Sequence, residues 1–327
     1  METCVIGIHG LANKPPRTVL EKWWRLSMSE GLRRNIGRMP FFDFRLVYWA
    51  DYVNPEPADP NEKDPGHPLH IAEPYLPSPG TLINKTNKQA RRPLKKKVKT
   101  QLSRMLLSNR FTHVLPALTE SAIRKRYREI DLYYSPDAAG KAGATAQEDL
   151  RAILAKTLFD CRRRRIVLIA HSMGALIACD VLYSLEFSID TFITIGSPLG
   201  IPLLVEKLKE EQRGAIAPNR KISAPESISG QWLNLFDPRD EIGSRHMPGY
   251  FFAPNSRGVA PEDRAVINDY RVGGRVNPHK VYGYLRCREM SEALFRLITR
   301  DRNRARLFVE TGVTELLYRL GNRLRKR

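Results

Sequence analysis

The sequence predicts an α/β fold, a mostly parallel sheet flanked by helices. Two observations carry that prediction. Short apolar, strand-like runs alternate with segments whose apolar residues fall at helical spacing, the order of a sheet built by crossover connections. One of those runs, Arg165-Ile166-Val167-Leu168-Ile169-Ala170, is apolar without interruption, as suits a strand buried on both faces inside a parallel sheet.

Taken in order, Cys4-Val5-Ile6-Gly7-Ile8-His9-Gly10 reads as a buried strand entering a glycine turn. A helix follows over 17–36, with Val19, Leu20, Trp23, Trp24, Leu26 and Leu32 mostly on one face. Phe44 to Trp49, aromatic and branched, is the second strand. Residues 54–80 are proline-rich and read as irregular loop. Residues 85–130 read as basic helices, because Leu94, Val98, Leu102, Met105 and Leu106 recur at helical spacing among lysines. The alternation resumes with a helix over 146–160, the 165–170 strand, a helix over 173–186 and a strand over 190–195. Strands over 231–236 and 265–272 and a helix starting near Lys280 complete it. The expected organisation is therefore one α/β domain over 1–300, interrupted by a proline-rich and basic helical insertion at 54–145. Residues 301–327 extend it as a basic amphipathic tail, striped by Val309, Val313, Leu316, Leu317, Leu320 and Leu324.

Bulk composition narrows the class. The chain has 327 residues, 42% hydrophobic and 27% charged, which is enough apolar content for a sizeable core. No run approaches the roughly 18–20 apolar residues of a membrane span, and the N-terminus lacks the basic and small-residue features of a signal peptide. The expected compartment is the cytoplasm, with a peripheral position at the inner membrane surface as a further option. Cys4, Cys161, Cys179 and Cys287 are scattered and read as reduced, mostly buried thiols. The formal net charge is +19, and two segments hold nearly all of it. Residues 85–130 carry fourteen Lys/Arg against two Glu, and residues 300–327 carry nine against three acidic groups, together +18. Such segments suit contact with an anionic membrane. Nucleic acid is the less favoured partner, since no nucleic-acid-binding signature accompanies the charge.

The chemistry-bearing motif is Ala170-His171-Ser172-Met173-Gly174, placed between the apolar strand and a helix. So tight a turn demands small residues two before and two after the serine, and Ala170 and Gly174 meet that demand. The helix N-terminus turns free N–H groups toward developing negative charge. Here the chain resembles the α/β-hydrolase superfamily, within it the lipase- and esterase-like serine hydrolases with an A-H-S-x-G elbow. The resemblance spans roughly 3–52 and 146–296. It implies a minimal version of that fold, lacking the first two strands of the full sheet, with the basic insertion as a lid.

The same resemblance implies a Ser-Asp-His order. Ser172 is the expected nucleophile. Only His246 and His279 follow it, and His279, in the loop before the last helix, occupies the place of the family's base. Two aspartates, Asp237 and Asp240, follow the 231–236 strand. Asp240 is favoured because Asp240-Glu241-Ile242 is similar to the family's acid motif, with Asp237 as the alternative. The resemblance places the oxyanion donors at the backbone N–H groups of Met173 and Leu11, with His9 shaping the loop. The implied reaction is hydrolysis of a carboxylic ester or thioester through an acyl-enzyme, with no cofactor and no metal. His67 and His70 read as loop residues. The alternatives are acyl transfer to an alcohol on the same triad, or a non-catalytic module that binds anionic membrane or nucleic acid.

Overall fold

Strand β1 (Thr3–Ile8) lies between β2 (Asp43–Val47) and β3 (Arg165–His171), and the sheet continues through β4 (Ile189–Ile195), β5 (Ile228–Phe236) and β6 (Pro261–Ala265). Every neighbouring pair in this six-stranded sheet is parallel. The computed structural model describes residues 1–78, 133–134, 144–211, 221–244, 247–303 and 312–314. It divides into two units, Met1–Leu76 with Glu148–Arg327, and Pro77–Gln147. In the second unit the described residues include Tyr133 and Tyr134, whose rings meet edge to face at 5.0 Å. The predicted basic helices of 85–130 and most of the 301–327 stripe lie outside the described residues.

Helices cover both faces of the sheet: α1 (Arg17–Ile36), α3 (Ala146–Asp160), α4 (Met173–Ser184), α5 (Pro202–Glu211), α6 (Val281–Leu285) and α7 (Arg288–Thr299). A short α2 (Ala50–Val53) follows β2. Side chains alternate along each strand, so every strand feeds two cores. On one face Val5, Val167, Ile169, Ile193, Ile195, Leu233 and Leu235 pack with Leu20, Trp24, Met28 and Leu32 of α1 and with Tyr284, Leu294 and Leu297 of the last two helices. The α1 set recurs every four residues, which is why this stretch stands as a helix, and each such buried side chain contributes about 1.5–3 kcal/mol. The other face buries Ile6, Ile8, Ile166, Leu168, Phe192 and Trp232. All four cysteines are buried, and Cys4 and Cys161 touch at 2.8 Å between sulfurs.

Two parts of the sequence reading change. The strand expected over 265–272 is instead β6, which ends at Ala265. Val266 and Tyr270 are buried as loop residues. The chain leaves the sheet because Asn268 is held elsewhere: its N–H donates to Asp237 Oδ2 at 2.7 Å and its Nδ2 to the carbonyls of Pro278 and Lys280 at 2.9 and 2.7 Å. Arg271–Val272 then pairs with Arg275–Val276 in a separate hairpin. The last helix is two helices, broken at Arg286 and Cys287, where Cys287 Sγ accepts the Met290 N–H.

The strand order places β2 on one side of β1 and all later strands on the other. Such a reversal leaves a crevice at the carboxyl ends of the two central strands, where parallel α/β sheets carry their sites. In this molecule the crevice opens beyond Ile8 and His171.

Candidate active site

Ser172 ends the run out of β3 and opens α4. Its backbone sits at φ 53° and ψ −126°, a conformation that L-residues adopt at a cost of about 1–3 kcal/mol. Close packing holds it there. The Ser172 N–H donates to Ile195 O at 3.1 Å, and a β-carbon on Gly174 would lie 2.6 Å from His9 O. The small residue that the elbow demands at that position is thus dictated by the end of β1.

His279 lies across the crevice in the loop leading to α6. Its Nε2 is 3.1 Å from Ser172 Oγ, and its Nδ1 is 2.9 and 3.1 Å from the two carboxylate oxygens of Asp240. The structure therefore brings Ser172, His279 and Asp240 into one chain of hydrogen bonds. Asp237 is directed elsewhere. Its carboxylate accepts from Arg239 Nη2 at 2.6 Å, from the Arg239 backbone N–H at 2.8 Å and from the Asn268 N–H, bracing the turn after β5. His246 lies outside the described residues.

Asp240 is 1% exposed. Burial alone would push its pKa up, but the neighbouring His279 ring and the bonds from His279, Tyr284 and the Ile242 N–H outweigh that and hold it below the ordinary carboxylate value. Tyr284 Oη donates to Asp240 Oδ2 at 2.7 Å and accepts the Asp237 N–H at 2.9 Å, so one hydroxyl ties both aspartates together. Gly196, at the end of β4, makes room for the pair. Its φ is +53°, and a β-carbon there would stand 2.9 Å from Asp240 Oδ2 and 3.2 Å from His279 Nδ1.

The imidazole is also held from below. His171 Nε2 donates to His279 O at 2.9 Å, and the two rings lie 5.0 Å apart. Burial, and then the neighbouring His279, keep the His171 pKa well below its ordinary value, so His171 serves as a neutral donor. Asn268 fixes the carbonyls on both sides of His279, those of Pro278 and Lys280.

The two expected oxyanion donors belong to the start of α4 and to the turn after β1. Met173 is the first residue of α4, where helix N–H groups have no intrahelical acceptor. Leu11 follows Gly10, and a β-carbon on Gly10 would lie 2.7 Å from Ser172 Cβ, so this turn runs directly against Ser172. The turn is pinned. His9 Nδ1 donates to Gly10 O at 2.8 Å, its Nε2 accepts the Trp49 N–H at 3.1 Å, and its ring stacks on Trp49. Burial, with help from Lys14, pushes the His9 pKa down to about 3, so it carries no charge near neutrality. Lys14 Nζ bonds the carbonyls of Leu11 and Ala12, and Ala12 is held at a left-handed φ of 71°.

The sequence reading did not single out Tyr284, Gly196, Asn268 or the His171 side chain. Gly196 had a signal, a glycine directly after a buried parallel strand. The other three act through partners 10 to 108 residues away and leave no local pattern. His67 and His70 sit in the irregular stretch, where His70 Nδ1 bonds Glu62 O at 3.0 Å. Among the described residues there is no cluster of three or more His, Cys, Asp or Glu able to hold a metal, and no helix long and apolar enough to cross a membrane.

The structure thus sets a strained serine, hydrogen-bonded to His279, at the switch point of a parallel α/β sheet. A search of curated proteins gives a partial likeness. Over 92 residues the chain is 32% identical to a Saccharomyces cerevisiae protein named as a probable mitochondrial phospholipase. The match covers 26% of this chain and 13% of that protein, so the chain matches only a small part of its relative's length. No family model matches the sequence.

Proposed function

We propose that this protein is a serine hydrolase of lipid carboxylic esters, working through an acyl-enzyme. One observation carries the proposal: His279 bridges Ser172 Oγ and the Asp240 carboxylate by its two ring nitrogens, at 3.1 and 2.9 Å. Ser172 Oγ attacks the ester carbonyl carbon while its proton passes to His279 Nε2. Asp240 accepts from Nδ1–H, fixing the tautomer and stabilising the imidazolium. The carbonyl oxygen becomes an oxyanion, which the N–H groups of Met173 and Leu11 receive. The C–O bond to the leaving alcohol breaks, and that alcohol takes the proton from Nε2. Water then repeats the sequence on the acyl-enzyme and releases the acid.

The substrate class draws on the relative named as a phospholipase, and the charge pattern agrees with it. A chain with +18 in two segments suits the anionic surface of a membrane, where such esters lie. A cytoplasmic enzyme acting at that surface is the corresponding location. The test is release of fatty acid from vesicles containing acidic phospholipid. Wild-type protein is expected to release it, and Ser172→Ala and His279→Ala to lose at least about 10³-fold in kcat. Turnover retained in either folded variant would sink the proposal.

A further inference from the structure

We infer that Glu73, in the proline-rich stretch, is a positioning residue for the His279 loop. The inference rests on the role proposed above for His279. Glu73 grips both flanks of that residue: Asn277 Nδ2 donates to Oε1 at 2.7 Å, and Lys280 Nζ pairs with Oε2 at 3.3 Å. Asn277 in turn accepts the His279 N–H on its Oδ1 at 3.0 Å. The order of these bonds has a direction. An ionised carboxylate only accepts, so it turns the Asn277 amide with nitrogen outward and leaves oxygen facing His279. Without it the amide is free to flip and present a donor to a donor.

Glu73 is itself anchored. Tyr270 Oη donates to Pro74 O at 2.6 Å, Arg286 Nη1 to Leu76 O at 2.6 Å, and Tyr75 Oη to Glu30 Oε2 at 3.0 Å. Residues 73–76 thus form a strap, tied to the β6–α6 loop, α1 and the α6–α7 break, with its carboxylate on the base loop. Nothing in the family resemblance covers residue 73. Lys280 is buried enough that its charged form is disfavoured, and Glu73 is the partner that opposes this.

The experiment uses the full chain and p-nitrophenyl butyrate, a small ester that does not depend on a lipid surface. Glu73→Ala is expected to lower kcat at least about 10-fold with KM within about twofold, since misplacing a reacting group by around 1 Å costs up to 10²-fold. Glu73→Gln, whose amide oxygen still accepts from Asn277, is expected to recover most of that loss. If Glu73→Ala does not fold, Asn277→Asp replaces it: two carboxylates then face each other, and kcat is expected to fall by a similar factor. A kcat within twofold of wild type in the folded Glu73→Ala protein, or in Asn277→Asp, would overturn the inference. So would a Glu73→Gln protein as impaired as Glu73→Ala. Ser172→Ala, run in parallel, separates the two claims. Retained turnover there removes the assignment of Ser172 and His279, whereas lost turnover beside an unaffected Glu73→Ala removes only the role of Glu73.

Discussion

Tyr284→Phe isolates the contribution of one hydroxyl at the centre of the site. The ring is fully buried, and phenylalanine keeps its packing while deleting both hydrogen bonds. The bond to Asp240 is charge-assisted and contributes about 1.5–3 kcal/mol, and the orphaned Asp237 N–H costs about 1–3 kcal/mol. Both meet at one oxygen and do not simply add, so the expected loss is roughly 3 kcal/mol. For a domain of about 150–250 residues each kcal/mol moves Tm by about 2–4 °C, which gives a drop of about 6–12 °C. The pH dependence has a definite sign. The Asp240 pKa is lowered in the folded protein, so its stabilisation is complete above the ordinary value of 3.8 and is lost as pH falls through the depressed one. Tyr284 is one of the groups that lower it, so the gap between wild type and variant should narrow below about pH 4. Asp240 still bonds His279 and the Ile242 N–H, and kcat should therefore fall by no more than about 10-fold. Thermal melts followed by circular dichroism at pH 7 and pH 3.5 read these quantities. A Tm within about 2 °C of wild type at pH 7, or a gap that widens in acid, would refute the reasoning.

Two further outcomes follow from the arrangement. Asp240→Asn should lower kcat by roughly 10³- to 10⁴-fold, because an amide cannot hold the imidazole in the required tautomer, while Asp237→Asn should mainly lower Tm. Comparable kinetic losses in both would reassign the acid. The protein should also co-sediment with vesicles containing acidic lipid at low salt and be released at 1 M, where screening shortens the reach of exposed charge to about 3 Å. Substituting glutamine at Lys95, Lys96, Lys97 and Lys99 should weaken that binding, and indifference of the wild-type protein to acidic vesicles would remove the membrane contact.

The sheet was legible because its middle strands are apolar on both faces, and a run such as Ile166 to Ala170 suits the interior of a sheet covered on both sides. The error over 265–272 has a physical origin. Val266 and Tyr270 are as buried as strand residues, and apolar content does not say whether the backbone is paired to a neighbour or turned by a side chain such as Asn268. The elbow around Ser172 was legible because its constraints are local, namely a strand, a tight turn, small flanking residues and a helix. Asp240 and His279 were reachable through chain order and resemblance. Tyr284 and Glu73 were not, because each acts by a contact between segments that only the folded chain brings together, whereas Gly196 left a local signal as a glycine directly after a buried strand. Glu73 in particular sits among prolines that read as plain loop, yet the strap it belongs to is tied to three separate elements.

A fluorophosphonate probe tests directly whether Ser172 is the nucleophile. The probe forms a phosphonyl ester with an activated serine hydroxyl, and peptide mass spectrometry locates the adduct. The expected result is one adduct per chain, on the peptide holding Ala170 to Gly174, absent from a folded Ser172→Ala protein. It should form at least about 10²-fold more slowly in His279→Ala, where the base is gone. An adduct on another residue, or undiminished labelling of the Ser172→Ala protein, would contradict the account.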